Sequence, residues 1–255
     1  MIIFPMAGRS RRFTEAGYDV PKYMLPLGGL TAFDHAVGGF RRYFASEPFL
    51  FVARAVEGLD VAGFVRARVL ELGIADPRLV VLPRDTAGQA ETVEHGLDSA
   101  EVPGQEPITI FNIDTFRPGF TRAAVAARPG SSGYLEVFRG EGANWSYVRP
   151  APGEADLVAE TAEKRPISDL CCTGLYHFSA SGEFRAALAA ERAAPSAPEL
   201  YVAPIFNHLI RAGRLIHFQE IARSEVIFCG TPAEYEELRA EPREFGGARP
   251  VSSRS

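Results

Sequence analysis

The sequence predicts an α/β protein: a mainly parallel, doubly wound sheet with a mixed-sheet C-terminal half. Three observations lead there. Up to about residue 130, short apolar runs alternate with segments of helical spacing, and that order calls for parallel strands joined by crossover helices. Beyond it, short strands separated by Gly, Pro and Asn take over. The 255 residues suit one large α/β domain, and no linker interrupts them. We therefore read a single domain over 1–240, with one half at 1–130 and a second at 131–240.

Residues 1–5 are apolar and β-branched, as a buried central strand should be. They run into a polar, Gly-containing segment from Ala7. The span 31–44 has helical spacing, with Phe33, Val37, Phe40 and Phe44 on one face and Thr31 placed as N-cap. A strand at 49–52 precedes a helix at 61–72, which Gly73 closes. A strand at 79–82, a helix at 88–97 and a strand at 108–113 complete the alternation. The second half reads as strands at 133–138, 145–149, 157–162 and 173–178, then helices at 182–192 and 200–212. Short strands at 215–218 and 226–228 and a helix at 232–239 follow. The stretch 241–255, rich in Pro, Gly, Arg and Ser, reads as a disordered tail.

Composition narrows the function. A net charge of −5 argues against broad nucleic-acid binding, which wants a basic face. No apolar run approaches the roughly 20 residues of a membrane helix. The start, Met1-Ile2-Ile3-Phe4-Pro5, lacks the charged region of a signal peptide. Cys171, Cys172 and Cys229 form neither a disulfide framework nor a zinc spacing, and the histidines are scattered. The expectation is a reduced, cytoplasmic protein that binds neither nucleic acid nor membrane.

The chain has only two lysines, Lys22 and Lys164, against 25 arginines. Where Arg serves as the generic cation, a retained Lys marks a place wanting a compact, flexible ammonium. Lys22 follows the loop after the first strand, where Ala7, Gly8, Ser10, Arg11 and Arg12 offer backbone N–H groups and guanidinium groups to phosphates. The loop is not a Walker loop, since no Gly-Lys-Ser/Thr ends it, and its Gly spacing is not a dinucleotide fingerprint. Asp114 stands at the carboxyl end of a strand, where open α/β sheets bind ligands. A hard oxygen ligand there suits Mg²⁺. In Asp85-Thr86-Ala87-Gly88-Gln89, a glycine at a helix entrance lets a flat ring approach the backbone, and Gln89 can read a base edge with its amide.

These pieces, in this order, resemble a known family. Ala7-Gly8-x-x-x-Arg12-Phe13, Pro21-Lys22-x-x-Leu25-Pro26, Thr86-Ala87-Gly88, strand-end Asp114, Glu163-Lys164, Thr173-Gly174-Leu175-Tyr176 and Gly230-Thr231-Pro232 are similar to the motifs of the nucleotidyltransferases. These are the sugar-1-phosphate nucleotidylyltransferases and their cytidylyltransferase relatives, and the match covers roughly residues 1–240. The run from Glu199 to Asn207 resembles a subgroup associated with capsule and surface-glycan biosynthesis. The resemblance implies a Rossmann-like, GT-A-type sheet, an NTP such as CTP, UTP or dTTP, a small phosphorylated acceptor, Mg²⁺ as cofactor, and allows a homo-oligomer. It implies phosphate holding by Gly8 and Ser10 to Arg12, and charge stabilisation by Arg12 and Lys22. It implies base contacts from Gly88 and Gln89, Mg²⁺ on Asp114, and acceptor contacts from Lys164, Thr173, Gly174 and Glu199. Two positions depart from the family's pattern: Ser10 replaces the loop's usual second Gly, and Phe228 stands about where a second metal carboxylate is expected. Either Asp114 and phosphates alone hold the metal, or another acid such as Glu199 substitutes.

The first reading is therefore NMP transfer to a phosphorylated acceptor with pyrophosphate released. A GT-A glycosyltransferase would use the same nucleotide-binding half but wants an Asp-x-Asp motif, and here the first position is Asn112. A non-catalytic nucleotide-sugar binding protein is the third reading, supported only by Phe228.

Overall fold

The computed structural model describes residues 1–240; the expected tail at 241–255 lies outside the described residues. In chain order the elements are β1 (Ile2–Met6), α1 (Arg11–Glu15), β2 (Pro26–Leu27), β3 (Leu30–Thr31), α2 (Ala32–Gly38), β4 (Pro48–Arg54), α3 (Val61–Leu72) and β5 (Asp76–Leu82). There follow α4 (Gln89–Ser99), β6 (Ile108–Phe111), β7 (Thr115–Phe116), β8 (Ser131–Arg139), β9 (Ser146–Pro150), β10 (Val158–Glu163) and β11 (Leu170–Phe178). The last are α5 (Ser181–Ala193), α6 (Val202–Arg211), β12 (Leu215–Glu220), β13 (Ile227–Phe228) and α7 (Pro232–Ala240). This is the α/β fold read from the sequence, and it divides into two compact units whose segments interleave along the chain.

The first unit gathers Met1–Ile3, Thr86–Phe111 and Arg122–Ser224. Its organising strand is β11, all nine residues of which are buried. Such a strand reads as a nearly continuous apolar run because both of its faces are covered. β11 pairs antiparallel with β6, with Leu175 opposite Phe111, and with β8, with Tyr176 opposite Leu135. The register with β8 shifts between Cys172 and Tyr176, and Gly174 sits in that bulge at φ +94°. A side chain is strained at such a φ, so the bulge requires glycine. β9 and β10 form an antiparallel pair, β12 runs parallel to β8, and Ile2 and Ile3 pair parallel with Thr109 and Ile110. Helix α6 buries Ile205, Phe206 and Leu209, and the Phe206 ring stacks on Phe178 at 4.2 Å. Asn207 on the same helix satisfies the Thr161 backbone, accepting its N–H and donating to its carbonyl, both at 2.8 Å.

The second unit takes Phe4–Asp85, Asn112–Thr121 and the chain from Glu225. Here β4 and β5 pair parallel, from Pro48 opposite Asp76 to Arg54 opposite Leu82. The core is aromatic: Phe4 meets Phe40 edge-on at 5.4 Å and stacks on Phe51 at 5.6 Å, and Phe33 packs on Phe51 at 5.3 Å. Thr31 caps α2 in a capping box with Asp34, and Asp34 is fully buried while accepting from Arg68 Nε at 2.8 Å. Asp60 caps α3 and Gly73 closes it in the left-handed region, φ +75°.

Three sequence expectations need correction. The helix expected over 31–44 ends at Gly38 and gives way to a 3₁₀ turn at Arg41–Tyr43. Its apolar face is still buried, but a Cβ on Gly39 would lie 2.4 Å from the Arg117 carbonyl oxygen, and the paired glycines disfavour a continued helix. The strand expected to 113 stops at Phe111, and Thr115–Phe116 pairs instead with Ile227–Phe228. The polar segment after β1 contains a short helix, α1, of which only Phe13 is buried. One buried residue in five leaves no periodicity to read.

Candidate active site

Each unit carries one cluster of sequence-predicted residues. In the second unit β1 ends at Met6 and the chain turns through Ala7 to Ser10 into α1. Ser10 is held at φ 52°, a conformation uncommon without glycine and found where surrounding structure enforces it. Its Oγ accepts the backbone N–H of Lys22 at 3.3 Å, tying the loop to the Pro-Lys segment. Gly8 is exposed, and a Cβ there would meet nothing within 4 Å, so the surface over it is open. Arg9 is drawn aside by Asp85, to which its Nε donates at 2.9 Å, whereas Arg11 and Arg12 are exposed and make no ion pair among the described residues. Two guanidinium groups therefore stand available on the loop.

Lys22 Nζ donates to Asp114 Oδ2 at 2.5 Å, with 23% and 22% of the two side chains exposed. The cation and the carboxylate expected to handle phosphate and metal thus meet across 92 positions of sequence. The late Gly-Thr-Pro motif closes around them. Cys229 N donates to the Asp114 carbonyl at 2.8 Å, and a Cβ on Gly230 would lie 3.1 Å from Asp114 Oδ2. Glu234 Oε2 accepts from the N–H groups of Gly230 and Thr231, both at 2.9 Å, at the start of α7. Burial, and then the charges of Asp114 and Glu234, push the Cys229 thiol up to about 12. It stays protonated at neutral pH and cannot serve as a nucleophile.

The donor set fits a hard divalent cation of modest demands. Asp114 already faces a positive charge, the Lys22 ammonium, and bare Gly230 backbone lies against its Oδ2. Phe228 is a strand partner of Thr115 and offers no oxygen from its side chain. No group of three His, Cys, Asp or Glu residues forms a metal cage among the described residues. Mg²⁺ suits this arrangement, since it is commonly held by one or two carboxylates with water and substrate phosphates filling the rest.

The first unit carries the other residues. Gly88 opens α4, and its Cβ position belongs to Leu200, whose backbone N and O would lie 2.6 Å away. The glycine that sequence reasoning assigned to the approach of a flat ring is therefore required by packing on Leu200. Leu200 N donates to Ala87 O at 3.0 Å and Ala90 N to Leu200 O at 2.8 Å, so Leu200 is clamped to this loop. Gln89 is the first residue of α4 and partly exposed.

Lys164 follows β10 in the left-handed region, φ 52°, with its N–H bonded to Trp145 O at 2.8 Å. Its Nζ donates to the Tyr201 hydroxyl at 2.8 Å and lies 4.7 Å from that ring's centroid. Glu163 Oε1 is 3.8 Å from the ammonium, and burial raises the Glu163 carboxyl above its ordinary range. Glu199 is exposed, and its charge acts on both Glu163 and Lys164. Thr173 is buried, donating to Glu136 Oε1 at 3.1 Å, so its side chain is committed inside the sheet. Sequence reasoning gave no individual role to Glu163, Tyr201 or Glu234. A signal existed for Glu234, since Thr231-x-x-Glu234 is a capping-box spacing. None existed for Tyr201.

The second unit thus brings Lys22 and Asp114 together near the exposed Arg11 and Arg12, with the neighbouring thiol of Cys229 protonated. No protein-family model and no curated protein matches the chain. Solved structures do. A nucleoside-diphosphate-sugar pyrophosphorylase from Vibrio cholerae RC9 is 48% identical, with 94% of this chain and 100% of that one covered and a TM-score of 0.89. An inositol-1-phosphate CTP transferase from T. maritima shares the fold at 14% identity, 97% coverage of each chain and TM-score 0.71. A UDP-glucose pyrophosphorylase solved with UDP-glucose does so at 16% identity, TM-score 0.70, covering 94% of this chain and 96% of that one. The fold and the first of these likenesses define the class: the protein is a nucleotidyltransferase. Within it, the chain belongs to the sugar nucleotidyltransferase family.

Proposed function

We propose that the enzyme transfers a nucleoside monophosphate from an NTP to the phosphate of a sugar phosphate, releasing pyrophosphate. The observation that carries this reading is the convergence of Ser10, Lys22 and Asp114 beside Arg11 and Arg12, which are exposed and make no ion pair among the described residues. The 48% identical relative is described as a nucleoside-diphosphate-sugar pyrophosphorylase, which names the same chemistry read in reverse.

In this reading Arg11, Arg12 and the loop backbone bind the triphosphate. Lys22 leaves Asp114 and places its ammonium on the charge that develops as pyrophosphate departs. Asp114 would hold Mg²⁺ together with the nucleotide's phosphates, and the ion would supply charge neutralisation there. Gly88 and Gln89 take the base, and Lys164 holds the acceptor's phosphate while it attacks in line. Positioning and fixed charge suffice, because the acceptor's own oxygen is the nucleophile. The buried thiols of Cys171, Cys172 and Cys229 fit a reducing cytoplasm, where NTPs are at hand. No helix of the described residues is long and apolar enough to cross a membrane.

Pyrophosphate release measured over CTP, UTP, dTTP, ATP and GTP, each with a panel of sugar 1-phosphates and Mg²⁺, tests the reading. Release that requires both substrates is expected for at least one pair. Nucleoside diphosphate released from a nucleotide sugar, with no pyrophosphate from any pair, would transfer the chain to the glycosyltransferases.

A further inference from the structure

We propose that Tyr201 is a positioning residue of the acceptor subsite. Its hydroxyl holds the Lys164 ammonium in place and presents its own proton beside that ammonium to a phosphate oxygen. The proposal rests on the assignment of Lys164 to the acceptor, and extends it to a residue whose type and position suggested no role.

Four features of the first unit carry it. Lys164 adopts φ 52°, which is costly for a residue with a side chain. That backbone is held by its N–H on Trp145 O at 2.8 Å. Strain of this kind at the end of a strand fixes where the side chain starts, and the far end is fixed separately by the phenol, 2.8 Å from Nζ. The nearer partner of the ammonium is thus a neutral group. The Glu163 carboxylate stands farther off, at 3.8 Å, and is itself engaged by the Ser146 hydroxyl. A lysine neutralised by a close carboxylate would have to surrender that pair to receive an anion, whereas one steered by a phenol keeps its charge available. Tyr201 is in turn immobilised, because Leu200 before it is clamped between Ala87 and Ala90 and α6 begins directly after it. Finally, a phenol oxygen that accepts from Lys164 still has one proton to give. Together Nζ and Oη form a two-donor fork that a planar guanidinium in place of Lys164 could not complete in the same space. The hydrogen bond that Lys164 donates to Tyr201 is also the leading cause that raises the Lys164 amine above its ordinary range, burial opposing it.

With only two lysines in the chain, amine acylation reads Lys164 individually and Lys22 serves as internal reference. Tyr201→Phe keeps the ring and removes only the hydroxyl. Acylation by acetic anhydride at pH 9, followed by mass spectrometry, is expected to speed up several-fold at Lys164 and to stay unchanged at Lys22. Inorganic phosphate is expected to shield Lys164 in the unaltered enzyme, and the variant should need about tenfold more phosphate for equal shielding, the worth of one charge-assisted hydrogen bond. Unchanged Lys164 reactivity, or unchanged phosphate requirement, in Tyr201→Phe overturns the role of Tyr201. Faster acylation of the variant with no phosphate shielding in either protein has a different meaning. It removes Lys164 from the acceptor subsite, and the proposed role of Tyr201 there falls with it.

Discussion

Lys22→Ala separates two kinds of work that the Lys22–Asp114 pair could do. The contact is short, 2.5 Å, but 23% and 22% of the side chains reach solvent. Water therefore screens both charges, and the pair's contribution to stability stays near the range of exposed ion pairs, about 0–1 kcal/mol. For a chain of this size 1 kcal/mol moves the melting temperature by about 2–4 °C. Loss of a cation aimed at transition-state charge is a larger effect, about 10²–10³ in rate or about 2.7–4 kcal/mol of barrier. The variant should lose at least about 100-fold in turnover while melting no more than about 4 °C below the parent. Pyrophosphate release at saturating substrates, set beside a thermal melt, makes the comparison. Turnover within a factor of about two of the parent would refute the catalytic assignment. A melt lowered much further than about 4 °C would instead show that the pair chiefly holds the fold together.

Other expected outcomes follow from the same geometry. Asp114→Asn should abolish Mg²⁺-stimulated pyrophosphate release and weaken Mn²⁺ binding read by electron paramagnetic resonance; normal Mn²⁺ binding would place the metal elsewhere. Gly88→Ala puts a methyl 2.6 Å from the Leu200 backbone, so denaturant unfolding should show a loss of about 1–3 kcal/mol, and an unperturbed midpoint would contradict that contact. Arg68→Ala strips the cation from fully buried Asp34 and should cost about 3–5 kcal/mol in chemical denaturation. Burial lowers the His35 pKa from 6.5, so the folded state holds this ring neutral while the unfolded chain takes up a proton. Stability from this source is present above about 6.5 and is lost as pH falls from there through the folded pKa. His35→Gln should flatten that part of the stability–pH curve, and an unchanged curve would remove His35 from the account.

Much of the candidate site was legible because its chemistry is written locally. The scarcity of lysine made Lys22 and Lys164 conspicuous, and a strand-end position marked Asp114 without any structure. Local signals also located the N-cap at Thr31 and the closing Gly73, because each is an interaction within four residues of itself or a single φ. What was missed had no such imprint. Tyr201 was invisible because its hydroxyl meets Lys164 from 37 positions away, and α1 was invisible because it buries only Phe13. A second demand on Gly88 was invisible for the same reason: the backbone that crowds it is that of Leu200.

The sequence by itself determined the elements and their class, through apolar period, caps and breakers, which depend on neighbours along the chain. It also determined which residue types were at hand for phosphate chemistry. Only the tertiary structure decided the partnerships. Arg9 is committed to Asp85 while Arg11 and Arg12 stay exposed, although the three lie within four positions of one another. Lys22 faces Asp114, and Lys164 faces a phenol in preference to the carboxylate beside it in sequence. A pairing between distant residues depends on where strand ends and loop turns deliver them. Periodicity carries no record of that, because it is set by packing and electrostatics summed over the whole folded unit.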